Sequence, residues 1–510
     1  MDQALARFAK VVGADWVFTD EDHLSPYSDQ FAPGNAAAHA PGGAVGPGSV
    51  EEVQAIVRIA AETGVPLWTV STGRNLAYGG SAPVMPGCVV LDLRRLNKVL
   101  EVDDELGYAL VEPGVTFFDL NDHLTRIGSR LWISSPAPGW GSVMGNALER
   151  GFGGMPYGDH AQQICGLEVV LADGTLLRTG MGAVPGAKTW QLHKGGFGPA
   201  WDQAFCQSNY GVVTKLGIWL MPRPEAVASG RVVFPREEDL ALAVDAMRPL
   251  RVEGIVNGVP SMRNAVGVAI GQSQRSAWYD KPGPIPDDVI ETIKTKLNVG
   301  WWTQNFGLYG RADVVQANLR HVRTAYDRLP GVRFEVEVTE GDVLKEPGRG
   351  GKPGTGLPGL AGLRVVDWRG GKGGHIDFSP VLPPRGEDAM RIYRLCRRIV
   401  EGGGQDFMGT FYNFGRAMTL ICLVGFDAAK AEETARVRGL FSALVKEAGA
   451  AGYGEYRTHI SYMDEVADLY RWNDGALQRF NARIKDALDP KGVLSPGKQG
   501  IWPRRYRTEG

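Results

Sequence analysis

Three glycine-rich runs hold the residues best suited to cradle a large polar ligand: Ser71-Thr-Gly-Arg-Asn-Leu-Ala-Tyr-Gly-Gly80, Gly139-Trp-Gly-Ser-Val-Met-Gly-Asn146 and Arg150-Gly-Phe-Gly-Gly-Met-Pro-Tyr-Gly-Asp159. Successive backbone N–H groups in such turns form an anion nest, so a diphosphate held there needs no lysine. Each run alone also reads as a tight structural turn; their succession is the stronger signal. His375 sits in Gly-Gly-His-Ile-Asp-Phe-Ser. A neutral imidazole is a good nucleophile near pH 7, although a structural, hydrogen-bonded histidine reads the same way. If this segment is a strand, His375, Asp377 and Ser379 share one face. Tyr456-Arg457 pairs a phenolic donor with a fixed charge, and outside a pocket it carries no weight.

Other catalytic signatures are missing. No GxGxxG follows a predicted strand, and there is no Walker A loop, HExxH or GxSxG. The commonest Rossmann, NTPase, zinc-protease and serine-hydrolase readings therefore drop out.

Composition narrows the class further. The 69 glycines in 510 residues stand about twofold above average usage. Hydrophobic residues at 44% and charged residues at 22% are ordinary for a soluble globular chain of two large domains or three smaller ones. A net charge of -2 gives no concentrated basic face for nucleic acid. The arginines of 503–507 read as a solvated terminus. Cys88, Cys165, Cys206, Cys396 and Cys422 are scattered, with no CxxC, which fits reduced thiols and a cytoplasmic location rather than disulfides or a metal site. The opening MDQALARFAKVVGADW lacks the cationic start, apolar core and cleavage motif of a secretory signal; Leu5, Phe8, Val11 and Val12 mark a helix face instead. No stretch approaches the length of a membrane span.

These residues need elements to position them. Ser49 and Glu52 predict a capping box opening a helix over Ser49–Gly64, closed by Gly64. A buried strand over Pro66–Thr72 then delivers the first glycine loop. Short strands are expected at Cys88–Leu93, Val99–Asp103 and Tyr108–Glu112, and a helix at Phe117–Gly128 capped by Thr116. Asp173-Gly174 signals a hairpin between Leu167–Leu171 and Thr175–Thr179, and Gly211–Met221 reads as a strand. From about residue 229 strands alternate with longer helices: Arg231–Phe234, Glu237–Leu250, Val314–Arg328 and Val332–Val338. This predicts a second, α+β domain. The Pro/Gly-rich stretch 347–374 reads as a long lid or interface loop before a strand at His375–Pro380. A last helix is expected at Ala476–Leu488.

Seven segments carry a resemblance: STGRNLAYGG, PGWGSVMGN, ERGFGGMPYGDH, GLEVVLADGTLLRTGMGAVPG, GGHIDFSPV, AGYGEYRTH and DALDPKGVLSPGKQGIW. In this order, over almost the whole chain, they resemble the vanillyl-alcohol oxidase and p-cresol methylhydroxylase flavoproteins, on the 4-phenol oxidising branch nearest the eugenol-oxidising members. The resemblance implies an α+β fold with a bipartite FAD domain (1–228 and 455–510) and a substrate cap domain (229–454). It implies FAD bound covalently through His375. It further implies cofactor contacts at Ser71, Thr72, Gly73, Arg74, Asn75, Leu76, Pro136, Gly141, Ser142, Asn146, Tyr157, Gly158, Val212, Val213, Arg457 and Lys498. Tyr78, Tyr456 and Arg457 match a clamp for a substrate phenolate, whose benzylic hydride passes to flavin and leaves a p-quinone methide. Pro136 stands where oxidases of the family carry Pro or Gly, which favours O2 over a cytochrome as acceptor. A homodimer or larger homo-oligomer is also implied. One departure stands out: relatives have an acid where this chain has Ala137. Asp377 is the expected replacement. The rival readings are an aliphatic alcohol or sugar oxidase of the same fold, and a flavoprotein that binds a phenol without turning it over.

Overall fold

The structure is a computed structural model that describes residues 1–136, 138–341 and 357–507. The helix Val50–Thr63 begins where Ser49 Oγ accepts the Glu52 amide at 3.2 Å and ends at Gly64, φ +72°. The Glu52 carboxylate takes the amide of Gly48 rather than that of Ser49, so the return arm of the expected box reaches one residue further back. Val53, Ile56, Val57 and Ala60 pack with Phe8, Leu67 and Val89. The helix Phe117–Arg126 has a complete capping box, with Thr116 and Asp119 exchanging side-chain and backbone bonds.

Strands β1 (Val17–Phe18), β2 (Gly43–Val45), β3 (Leu67–Val70) and β4 (Val89–Asp92) form a sheet in the order β1-β2-β4-β3, parallel at β2–β4 and β4–β3. The next seven strands are β5 (Val99–Asp103), β6 (Tyr108–Val111), β7 (Leu131–Trp132), β8 (Ile164–Val170), β9 (Leu176–Arg178), β10 (Val212–Trp219) and β11 (Met221–Pro222). Five of them make an antiparallel sheet, β5-β6-β10-β8-β9, and β7 pairs with β11. β8 and β9 are the hairpin expected around Asp173-Gly174.

The remaining strands are β12 (Ala226–Phe234), β13 (Ser261–Asn264), β14 (Trp302–Gly310), β15 (Arg333–Glu340), β16 (Gly373–Phe378), β17 (Val381–Leu382), β18 (Met408–Asn413) and β19 (Met418–Asp427). They form one antiparallel sheet, β15-β12-β14-β13-β18-β19-β16, with β17 also on β19. Helices Asp239–Val252, Ala312–Tyr326 and Ala431–Ala450 bury their apolar faces in the core of this sheet. Of the expected loop 347–374, residues 347–356 lie outside the described residues. Ala361–Asp367 forms a short 3-10 helix, and Gly359 O accepts the Gly139 amide at 2.9 Å.

The C-terminal segment returns to the first sheets. Leu67 N donates to Val493 O at 2.7 Å, and Ser495 N donates to Leu67 O at 2.8 Å. Val493 and Leu494 join the core of the first sheet, and Ile501 joins that of the second. Lys485 is fully buried; its ammonium donates to Asn209 O at 2.6 Å and Leu494 O at 2.7 Å and pairs with Asp489 at 2.8 Å. Burial pulls its pKa down to about 8 against the pull of Asp489. No helix among the described residues is long and apolar enough to cross a membrane.

Candidate active site

A long cleft, open to solvent, runs between the first two sheets and the returning C-terminal segment. β3 feeds the first glycine loop into it. Gly73 takes φ +67°, and a Cβ there would lie 1.8 Å from Ser81 Oγ, so only glycine makes this turn. Ser142 caps the short helix Val143–Leu148, accepting the Gly145 amide at 2.9 Å and donating to Pro113 O at 2.6 Å. Gly145 lies against the first loop, since a Cβ on it would meet Ser71 Oγ at 2.4 Å. The two glycine runs are thus walls of one cleft. Its third wall contains Asn209, Ser495 and Lys498. Asn209 donates to Ser495 O at 3.0 Å, and Lys498 forms an ion pair with Glu149 at 2.5 Å.

At one end of the cleft the side chains singled out for chemistry converge. Arg457 lies over the Tyr78 ring, 4.0 Å from its centroid, and also donates to Asn75 Oδ1. Tyr78 OH meets Ser379 Oγ at 3.3 Å, and the Tyr456 amide donates to Ser379 O at 3.3 Å. An isolated bridge between Pro380 and Glu455 brings the Glu455–Arg457 segment to the end of β16. Burial raises the Tyr78 hydroxyl well above its usual range; the Asp377 charge adds to this and Arg457 opposes it. Tyr456 is raised by burial in the same way, so both phenols stay protonated as donors. Burial lifts the Asp377 carboxyl to about 7, with Arg457 pulling the other way. His375 is buried, and burial lowers its imidazole to about 4, which keeps it neutral at pH 7. The Phe31 ring lies 5.9 Å away, and the Asp29–His459 pair, joined at 2.7 Å, is close enough to act on its charge.

Among the described residues several buried polar atoms have no partner: His375 Nδ1, Asp377 Oδ1, Arg457 Nε, Trp140 Nε1 and Asn209 Oδ1. Buried polar atoms are nearly always bonded, so these point to a ligand with its own donors and acceptors. The cleft runs past both glycine loops and the C-terminal segment, as an elongated dinucleotide requires. The residues therefore fit FAD.

The cleft is lined by Ser71, Thr72, Gly73, Arg74, Asn75, Tyr78, Gly141, Ser142, Asn146, Val213, Arg457 and Lys498 among the expected positions. Leu76, Pro136, Gly158, Val212, His375, Asp377 and Tyr456 are not on its wall; Asp377 and Tyr456 lie close enough to Tyr78 to act on its charge, and His375 lies beside Phe31. Tyr157 lies apart, 42% exposed, in a surface groove with Trp219 and Arg223. Ala137 lies outside the described residues. Glu149, Asn209 and Ser495 were not anticipated. The DPKGVLSPGKQG run contained a signal for Ser495, whereas Asn209 has none in its local sequence.

A cleft walled by glycine turns with a buried imidazole and phenol cluster at its end belongs to an FAD-linked oxidoreductase, and comparison with known proteins agrees. The FAD binding domain family matches residues 41–180, and the C-terminal domain of FAD linked oxidases matches 386–499. The chain is 37% identical to the 4-cresol dehydrogenase [hydroxylating] flavoprotein subunit of Pseudomonas putida, over 98% of this chain and 95% of that one. It superposes on 4-ethylphenol oxidase from Gulosibacter chungangensis with a TM-score of 0.95 at 38% identity, covering 99% and 98% of the two chains. Against p-cresol methylhydroxylase with substrate bound the TM-score is 0.93 at 36% identity, over 98% and 97%. The chain belongs to the vanillyl-alcohol oxidase and p-cresol methylhydroxylase flavoprotein family and has its two-domain FAD-binding α+β fold.

Proposed function

We propose that this enzyme oxidises para-substituted phenols at the benzylic carbon, with FAD tethered through His375 and bound by a domain made of 1–228 and 455–510. Vanillyl alcohol, eugenol, 4-alkylphenols and larger lignin-derived phenols are the candidate substrates. The observation that supports this best is the meeting of Tyr78, Tyr456, Arg457 and Asp377 at one buried end of the cleft, with Arg457 Nε and Asp377 Oδ1 left without partners among the described residues. A free phenol ionises near pH 10; bringing it to about 7 takes roughly 4 kcal/mol. One guanidinium and two phenolic donors in a dry site are of that order. The bound phenolate pushes electron density toward its para position, so the attached benzylic carbon releases a hydride and the phenolate becomes a p-quinone methide. Bound FAD supplies the hydride acceptor. Asp377 then takes the proton released when water adds to the methide, or when the neighbouring carbon loses a proton to give an alkene. His375, neutral and buried, has the free nitrogen that a tether requires.

We take O2 as the electron acceptor on the strength of Pro136. The dehydrogenase name of the Pseudomonas putida relative favours the second reading, transfer to a cytochrome. One anaerobic experiment tests the proposal. Vanillyl alcohol or eugenol is expected to bleach the purified yellow enzyme, the 4-O-methyl ether of the same compound is not, and colour is expected to stay with acid-precipitated polypeptide. Equal bleaching by the methyl ether would replace the phenolate clamp with the alcohol-oxidase reading. Admitting air then separates the acceptors, since an oxidase recovers its colour at once.

A further inference from the structure

We infer that Ser379 is a positioning residue whose hydroxyl donates to the Tyr78 oxygen and so aims the Tyr78 proton into the cavity, at the oxygen of the bound phenol. The inference rests on the phenolate-clamp reading and assigns that clamp a fourth member. Ser379 is completely buried and ties three segments together. Its amide donates to Glu455 Oε1 at 3.0 Å, its carbonyl accepts the Tyr456 amide at 3.3 Å, and its Oγ lies 3.3 Å from Tyr78 OH. The backbone bonds fix where the hydroxyl sits. Tyr78 OH is the one partner found for Ser379 Oγ among the described residues. A buried hydroxyl without an acceptor is unfavourable, so the serine proton belongs on the tyrosine oxygen.

The direction of this bond decides the chemistry. If Tyr78 donated to Ser379, its proton would be used up and its lone pairs would face a phenolate. With Ser379 donating, the Tyr78 proton is free for the ligand, and the two hydroxyls polarise each other in one sense. Arg457, stacked on the Tyr78 ring, holds the plane in which that proton can swing.

The test titrates bound 4-nitrophenol, whose phenolate absorbs visible light, on the FAD-loaded enzyme. In Ser379→Ala both backbone bonds remain. The bound probe is expected to ionise half to one pH unit higher, an about three- to ten-fold smaller ratio of phenolate to neutral phenol at a given pH. Ser379→Thr is expected to restore the parental value, and Ser379→Ala is expected to add nothing in a Tyr78→Phe background. An unchanged or lower ionisation point in Ser379→Ala, or an equal effect of Ser379→Ala with and without Tyr78, would overturn the inference while leaving the clamp intact. Binding of the probe as neutral phenol by the parent enzyme would remove the clamp and this inference together. Ser379→Cys, with its weak thiol donor, serves as the second variant and is expected to fall between serine and alanine.

Discussion

Burial raises the Asp377 carboxyl to about 7 while Arg457 pulls it down, against a value near 3.9 in an unfolded chain. The folded protein therefore holds this proton more tightly than the unfolded one. Its ionisation destabilises the fold: the penalty is absent below about pH 4, grows up to about pH 7 and stays constant above, reaching about 4 kcal/mol at most. Asp377→Asn removes the charge in the folded state. It is expected to raise the melting temperature at pH 8, and to raise it less at pH 5. Catalysis runs the opposite way, because a proton acceptor must be ionised. The parental kcat is expected to climb through about pH 7, and Asp377→Asn to lose that climb and at least tenfold in kcat at pH 8. Turnover near the parental value with the same product ratio would remove Asp377 from the reaction, whatever the melting curves show.

At the scale of elements, β16 does the positioning: its alternation puts His375 and Asp377 on one side, and Ser379 follows in the same phase. That much was legible, as were the glycine turn after β3, the β8–β9 hairpin and the capped helices, since each is specified by neighbours in sequence. Strands of the large sheet were harder. In β14 eight of nine residues from Trp302 to Gly310 are at least partly buried, so the period-two signal vanishes. The Tyr78–Ser379 bond joins residues 301 apart, and no local pattern encodes it. Lys485 is a similar case: it falls inside the expected helix Ala476–Leu488, and nothing in that run marks Asn209 and Leu494 as its neighbours. Its ammonium holds Asp489 and two backbone carbonyls in a site without water access. Lys485→Met strands all three, and breaking a buried pair by one partner costs about 3–5 kcal/mol. Reduced unfolding stability is expected, together with less flavin retained per chain, because Asn209 lines the cleft. Parental stability in urea would show that water replaces the ammonium freely.

For the whole molecule, the question is which parts can stand alone. The large sheet has a core of its own, from Ala226 and Phe234 to Phe441 and Leu444. The first two sheets do not close without the chain's end: Val493 and Leu494 complete one core, Ile501 the other, and Ser495 and Lys498 the cleft. If the proposed cap folds by itself and the proposed FAD domain needs both ends of the chain, one truncation affects the two unequally. A chain ending at Asp489 keeps every core residue of the large sheet and loses the pairing of Leu67 with Val493 and Ser495. It is expected to purify without flavin. Limited proteolysis is expected to leave a resistant fragment close to 229–454 while 1–228 is digested, because an open outer edge on β3 and a core without Val493 and Leu494 expose the apolar faces packed there. Yellow protein from the truncated chain, or digestion of both regions at one rate, would mean that the cofactor cleft is organised by the N-terminal residues alone and that the proposed boundary at 228 divides nothing.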